Sequence, residues 1–393
     1  MTRIRNKLLV SFVFVALIPL IALGVYGVMS ITGSLKESSI SKLDGKVSLV
    51  SSQIQNLLHD IANDLFYLAG SATMEELINT PPQAGQRFDS VRRRLENDFL
   101  AFSTNKKLYL QIRYLDDNGM EVVRVDRPAT TSRVIPREKL QNKKSRYYFA
   151  DTAKLAAGEL MISPLDLNRE HGRIERPLRP VIRYATPLYN KEGQFRGIVI
   201  LNVNARMFLE FVRRANTEEE MITFIDPDGF FYFHPSPGKA WGGANNLDSG
   251  ASFRADYPGI ADQIIASRGQ TLVSQADHII AASPVFLDQQ QTRLLGNVVD
   301  VIPSRIVFSS VVKFRNIFLL IAGTVFLVTI GVAVYLANSI TTPLVYLTEM
   351  THAMSKGKLS ETISVDTKDE IRLLAESIER LRRSMTILMK RRR

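Results

Sequence analysis

Five arginines, Arg169, Arg173, Arg176, Arg179 and Arg183, fall within SPLDLNREHGRIERPLRPVIRY (Ser163–Tyr184), interleaved with Asp166, Glu170 and Glu175 and stiffened by three prolines. A guanidinium is a rigid fork of donors that matches a carboxylate or phosphate through two bonds at once. The stretch could therefore hold a small anion, grip nucleic acid, or brace itself through internal ion pairs. Catalysis fits poorly. The five histidines (His59, His171, His234, His278, His352) lie far apart without ligand spacing, and Glu170–His171 is the best acid–base pair on offer. With no cysteine there is neither a disulfide nor a cysteine-held metal, and no catalytic residue, metal site or cofactor is expected. Asp226-Pro227-Asp228-Gly229 lacks the spacing and distal Glu of a calcium loop and reads as a turn.

Which of these chemistries applies depends on the compartment. Leu8–Ile31 is an uncharged run of 24 residues and Ile317–Ala337 another of 21. At about 1.5 Å per helical residue, each covers a hydrocarbon core of about 30 Å. The first run is too long for a signal peptide and no small-x-small cleavage site follows it, so it reads as an uncleaved anchor. Arg3, Arg5 and Lys7 favour a cytoplasmic start, which puts residues 32–316 outside and the tail inside. The net charge of +11 places three charges in residues 1–7 and four in 338–393 (11 basic against 7 acidic), leaving only +4 for the rest. That is too little for a nucleic-acid surface, and no nucleic-acid partner is expected. The basic end Lys390–Arg393 suits anionic lipid or solvent.

Between the spans, Leu43, Val47, Val50, Ile54, Leu57, Ile61, Leu65 and Leu68 recur at steps of three or four. They predict a long amphipathic helix, packed on a partner or on its own domain. Three hairpins follow from alternating strands around Asp/Asn/Gly turns: Leu108–Asp126 with Asp116–Gly119, Val181–Val203 with Asn190–Gly193, and Met221–His234 with Asp226–Gly229. The fold class is α+β, with two tandem antiparallel-sheet modules on a long helix.

This arrangement resembles bacterial double-Cache sensors. LQNKKSRYYF (Leu140–Phe149), the arginine stretch and GIVILNVNA (Gly197–Ala205) are similar to their membrane-distal module, and FYFHPSPGKAWGG (Phe231–Gly243) with FRADYPG to the proximal one. The resemblance implies a PAS-like pocket in which Arg146, Tyr147 and Tyr148 stand where amino-acid-binding relatives place an arginine and aromatics for a ligand carboxylate. Those relatives add an aspartate near the end of the last strand, where this chain has Asn202 and Asn204. An uncharged amide neutralises no ammonium, so the departure favours an anionic or polar ligand. Arg183, on the strand VIRYATPLY, and Arg146 are the leading candidates. Arg113, beside Tyr114 on QIRYLD, and Asp166 come next. Arg169, Arg173, Arg176 and Arg179 read better as ion-paired bracing of their loop.

In the tail, Ile340, Leu344, Leu347, Met350 and Met354 form one helical seam and Ile371, Leu374, Ile378, Leu381 and Met385 a second. Pro343, Gly357-Lys358-Leu359, the apolar anchor Ile363 and Asp369-Glu370-Ile371 resemble a HAMP linker. That resemblance implies a parallel four-helix bundle from two chains, hence a homodimer. His352, in MTHAM, lacks the neighbours of a phosphorylated kinase histidine, and no catalytic output domain is expected in the few residues that follow. The expected order is a cytoplasmic start (1–7), a span (8–31), an outer sensor (32–316; distal module about 75–205, proximal about 206–305), a second span (317–337), HAMP (338–388) and a basic end (389–393). The chain then reads as a multi-pass receptor of the bacterial inner membrane that passes a small-molecule signal to a cytoplasmic effector. A membrane-anchored adhesion or partner-binding protein is the alternative.

Overall fold

The computed structural model describes residues 4–391 except 129, 171, 219 and 276. The chain divides into two units, Glu37–Val307 and a second formed by residues 1–36 with 308–393.

In chain order the first unit contains the end of helix α1 (Ile4–Ala69), α2 (Ala72–Asn79), α3 (Gln86–Asn105), β1 (Tyr109–Leu115), β2 (Glu121–Asp126), β3 (Arg133–Val134), α4 (Tyr147–Thr152), β4 (Met161–Ile162), β5 (Asp166–Leu167), β6 (Arg169–Glu170), β7 (Arg173–Ile174), β8 (Pro180–Tyr189), β9 (Phe195–Asn204) and α5 (Arg206–Ala215). It continues with β10 (Met221–Ile225), β11 (Phe231–Phe233), α6 (Phe253–Asp256), α7 (Ala261–Ala266), β12 (Thr271–Ser274), β13 (His278–Phe286), β14 (Leu294–Pro303) and α8 (Ser304–Val307). A first antiparallel sheet runs β3-β2-β1-β9-β8-β4, with β5 also on β8; a second runs β11-β10-β14-β13-β12; β6 and β7 form a separate ribbon.

Both sheets lean on α1. Leu43, Val47, Val50, Ile54, Leu58, Ile61, Leu65 and Leu68 are buried, so the seam passes through Leu58 where heptad spacing pointed to Leu57. Its steps average the 3.6 residues of a straight helix, as expected for a helix covering its own domain. Lys46 pairs with Glu220 and the Ser51 hydroxyl donates to the Pro284 carbonyl, both beside the second sheet. Higher up, the Tyr109 hydroxyl donates to Asp64 at 2.5 Å.

In the first sheet, alternation on β1 and β2 sends Ile112, Tyr114, Val123 and Val125 to the face on which α3 packs. The opposite face carries Gln111, Arg113 and Arg124, and α4 lies over it through a cluster of Leu115, Tyr148, Phe149, Ala185, Ile198 and Ile200. In the second sheet the matching face is a core: Ile225, Ile280, Ala282, Val299 and Val301 pack against Phe253, Ala261, Ile264 and Ile265 of α6 and α7.

In the other unit, α1 and α9 (Ser309–Ser355) contain windows of mean hydropathy 2.6 and 2.7, long and apolar enough to cross a membrane. The Phe318 ring lies over Gly24, where a Cβ would come within 2.5 Å of it. After the turn at Gly357 comes α10 (Glu370–Arg391). Leu347, Met354, Ile363 and Ala375 form a small core, with Tyr346, Met350, Leu359, Ile371 and Ile378 at its edge. Ile363 drops in as its sequence position suggested. Three of the five residues of the second seam, by contrast, are left open: Leu374, Leu381 and Met385 are exposed.

Candidate functional site

Cross-strand register builds the site. Arg133 lies opposite Asp126, Asp126 opposite Gln111, Gln111 opposite Asn202, and Asn202 opposite Arg183, so five strands contribute one continuous polar row. The next row places Arg124 opposite Arg113. Side chains directly opposite in an antiparallel pair share a face, which is why Gln111 and Asn202, 91 positions apart, meet here.

Above this face lies a cavity of about 350 Å³. Arg113, Arg146, Tyr147, Tyr148, Asp166, Arg183 and Asn202, all singled out in the sequence, line it together. Gln111, Arg124, Gln141, Lys143, Leu167, Asn168 and Arg169 complete the wall. Gln141 and Lys143 sit in LQNKKSRYYF just ahead of Arg146, and composition alone gave no reason to choose them. Their placement depends on a turn. Gly119 has φ +76°, and a Cβ there would stand 2.7 Å from the Lys144 backbone. Only glycine lets residues 142–146 rest on that turn, where Lys143 N–H donates to the Gly119 carbonyl at 2.7 Å.

Arg113 is the deepest member, 3% exposed. It donates to Glu121 and to the Tyr148 hydroxyl, each at 3.3 Å, and to Asn202 at 3.0 Å. Its guanidinium carbon lies 5.4 Å from the centre of the Tyr148 ring. Strict alternation would put Glu121 on the apolar face with Val123. A register shift between Tyr114 and Leu115 turns its carboxylate toward Arg113 instead. Asn202, 7% exposed, accepts from Arg113 and donates to Gln111 at 2.9 Å. Asn204 lies outside the cavity wall and accepts from the Arg206 N–H at 3.3 Å.

The arginine stretch divides. Arg183 donates to Asp166 and to Asn168, both at 3.2 Å, and to the Tyr147 hydroxyl at 3.4 Å. Arg179 braces the loop through Glu175 at 3.1 Å, as expected. Arg169 does not take a bracing ion pair among the described residues; it reaches the carbonyl of Asn245 at 2.9 Å and faces the cavity. His171 and the side chain of Glu170 lie outside the described residues.

The charge balance of the wall is one-sided. Arg113 is paired with Glu121, Arg124 with Asp126 and Arg183 with Asp166. Lys143, Arg146 and Arg169 line the same space with no carboxylate partner among the described residues. Burial pulls the Lys143 ammonium below its ordinary value, opposed by Glu121 and Tyr148 and reinforced by Arg113 and Arg146. Burial likewise raises the Asp166 carboxyl, with Arg183 and then Arg169 holding it down. Each shift marks a charge short of solvent, and an incoming anion would relieve the first.

Residues 55–284 match the family model for the sensor domain of bacterial histidine kinases, and residues 335–386 match the HAMP domain. The methyl-accepting chemotaxis protein McpB of Bacillus subtilis (strain 168) is 22% identical over 380 residues, covering 95% of this chain and 50% of McpB. The chain thus spans about half the length of that curated relative. Among solved structures, the extracellular domain of vpHK1S-Z8, described as a histidine kinase, aligns with TM-score 0.59 at 19% identity, covering 71% of this chain and 96% of that one. A domain of a sensory box/GGDEF family protein from Vibrio parahaemolyticus aligns with TM-score 0.57 at 20% identity, covering 68% and 96%. The periplasmic sensory domain of the Campylobacter jejuni chemoreceptor Tlp1 aligns with TM-score 0.52 at 12% identity, covering 70% and 98%. At these identities the likeness is one of fold.

Proposed function

We propose that this chain, which belongs to the family of bacterial histidine kinase sensor domains and carries a HAMP domain behind its sensor, detects a small anionic ligand in the cavity beneath α4. The observation that carries this reading is the surplus of cations: Lys143, Arg146 and Arg169 face one space without carboxylate partners among the described residues. Charge-assisted hydrogen bonds from such groups contribute about 1.5–3 kcal/mol each.

In this reading, residues 8–31 and 317–337 cross the bacterial inner membrane, residues 32–316 face the periplasm, and HAMP passes the signal to a cytoplasmic effector. The chain itself is assigned no catalysis. Two copies form the receptor: Leu374, Leu381 and Met385 of α10 are uncovered by the described residues, and a second α10 would cover them. A ligand shifts such a two-state assembly only by its difference in affinity for the two states, so a 10–100-fold preference supplies about 1.4–2.7 kcal/mol.

The test is a thermal melt of the full chain in nanodiscs with acetate, succinate, phosphate, isoleucine and methylammonium. Stabilisation should grow as RT ln(1 + [L]/Kd) for an anion. Arg146→Ala should weaken the same anion by roughly 10–150-fold with little change in the ligand-free melt. Stabilisation by methylammonium alone, or equal affinity in Arg146→Ala, would place the ligand elsewhere.

A further inference from the structure

Beside the first cavity lies a second, of about 240 Å³, and Gln111, Arg124, Asn168 and Asn202 line both. Three of the four shared residues carry side-chain amides, and these are hydrogen-bonded to one another or to neighbours. Asn202 donates to Gln111 at 2.9 Å, while Asn168 accepts from Arg183 on one side and donates to Glu175 at 3.0 Å on the other. Terminal amide torsions are soft, so these groups can turn without disturbing a strand.

The far cavity has its own surplus of positive charge. Arg124 and Arg179 are matched by Asp126 and Glu175. Arg127 instead donates to the carbonyls of Ser103 and Thr130, at 2.9 and 2.6 Å. Arg133 is exposed and has no carboxylate partner among the described residues. Two neighbouring spaces, each with uncompensated cations and sharing three rotatable amides beside Arg124, suit one elongated ligand better than two unrelated ones.

We propose that the two cavities form a single two-ended site whose ligand carries two anionic groups, one held at Lys143 and Arg146 and the other at Arg133. This rests on the anion-sensing reading above and extends it. Arg133 on β3 stands two strands beyond Gln111 on β1, about 10 Å at the backbone. Arginine and lysine side chains reach back several ångströms from each end, so a short flexible dicarboxylate can bridge them.

The experiment is isothermal titration of the full chain in nanodiscs with butyrate and with glutarate, adipate and suberate. At least one dicarboxylate should bind 10-fold or more tightly than butyrate. Arg133→Ala should reduce that dicarboxylate to the level of butyrate and leave butyrate itself unchanged, whereas Lys143→Ala should weaken both. A melt of each variant checks folding, and Arg133 is exposed enough for its loss to be tolerated. Equal affinity for butyrate and every dicarboxylate, or a dicarboxylate preference that survives Arg133→Ala, would overturn the two-ended site and leave anion sensing intact. If no carboxylate and no phosphate binds a folded chain, the anion reading falls and this inference with it.

Discussion

The two sheets have the same strand plan and use the same face in opposite ways. Around the first, β2-β1-β9-β8, the face beneath α4 carries Gln111, Arg113, Asn202 and Arg183 and borders a cavity. Around the second, β11-β10-β14-β13, the face beneath α6 and α7 carries Ile225, Val299, Val301, Ile280 and Ala282 and is filled. Polar residues on the inner face of a sheet are costly unless hydrogen-bonded, as Arg113, Asn202 and Arg183 are here. Apolar residues on the same face simply close the core. One scaffold thus yields either an open polar face or a filled apolar one, according to which residues alternate on its strands.

The sharpest way to break this contrast is to put a charge on the filled face. Val299→Asp should destabilise the chain by more than about 3 kcal/mol, because the carboxylate would be buried without a partner. Lys143→Ala, on the open face, should move the melt by less than about 1 kcal/mol. Comparable melts for the two variants would mean that both faces serve the core.

The second sheet also holds polar exceptions: Thr223 and Asn297 are buried on its filled face, and Asp300 on the other. Asp300 is fully buried on the side facing α1, where the Val301 N–H is beside its carboxylate and no side chain bonds it among the described residues. Burial pushes its carboxyl from the ordinary 3.8 up to about 7, opposed by Lys46 and aided by Glu220. Between those values the native state keeps a proton that the unfolded chain releases. Stability should therefore fall as pH rises from about 4 to about 7, by at most about 1.4 kcal/mol per pH unit. Asp300→Asn should flatten this dependence in melts taken from pH 4 to pH 8. An unchanged slope would show that Asp300 is ionised in the native state.

A smaller effect sharpens the comparison at the hairpin turns. Gly119 (φ +76°) and Gly229 (φ +91°) occupy equivalent turns in the two sheets. A Cβ at Gly119 would meet the Lys144 backbone, and one at Gly229 would meet the Ile265 side chain. Each Gly→Ala change should cost about 1–3 kcal/mol from the left-handed backbone alone. Only Gly119→Ala should also weaken anion binding in titration, since it displaces the loop that carries Lys143 and Arg146. Weakened binding in Gly229→Ala would mean that the second sheet contributes to the site.

Much of the fold was legible because it is written in local periodicity. Uncharged runs of 24 and 21 residues, alternating strands around Asp-x-x-Gly turns, and apolar steps of three and four each need only a short window. Candidate site residues were legible where arginine stood beside aromatics, on strands at Arg113 and Arg183 and at the start of α4 at Arg146. Leu57 in place of Leu58 was misread because steps of three and four allow both, and only contact with the sheets distinguishes them.

What the sequence by itself determined, then, was the two apolar spans, the long helix, the three hairpins, the tail seams and the surplus of cations in residues 140–184. Tertiary structure alone decided which cations remain unpaired. Glu121 reaches Arg113 through a register shift, Asp166 meets Arg183 from a neighbouring edge, and Asp126 claims Arg124 two residues back on the same strand, while Lys143, Arg146 and Arg169 have no acid within ion-pair reach among the described residues. The reason is physical. Pairing depends on distances of a few ångströms between residues far apart in the chain, and strand register, not sequence separation, sets those distances.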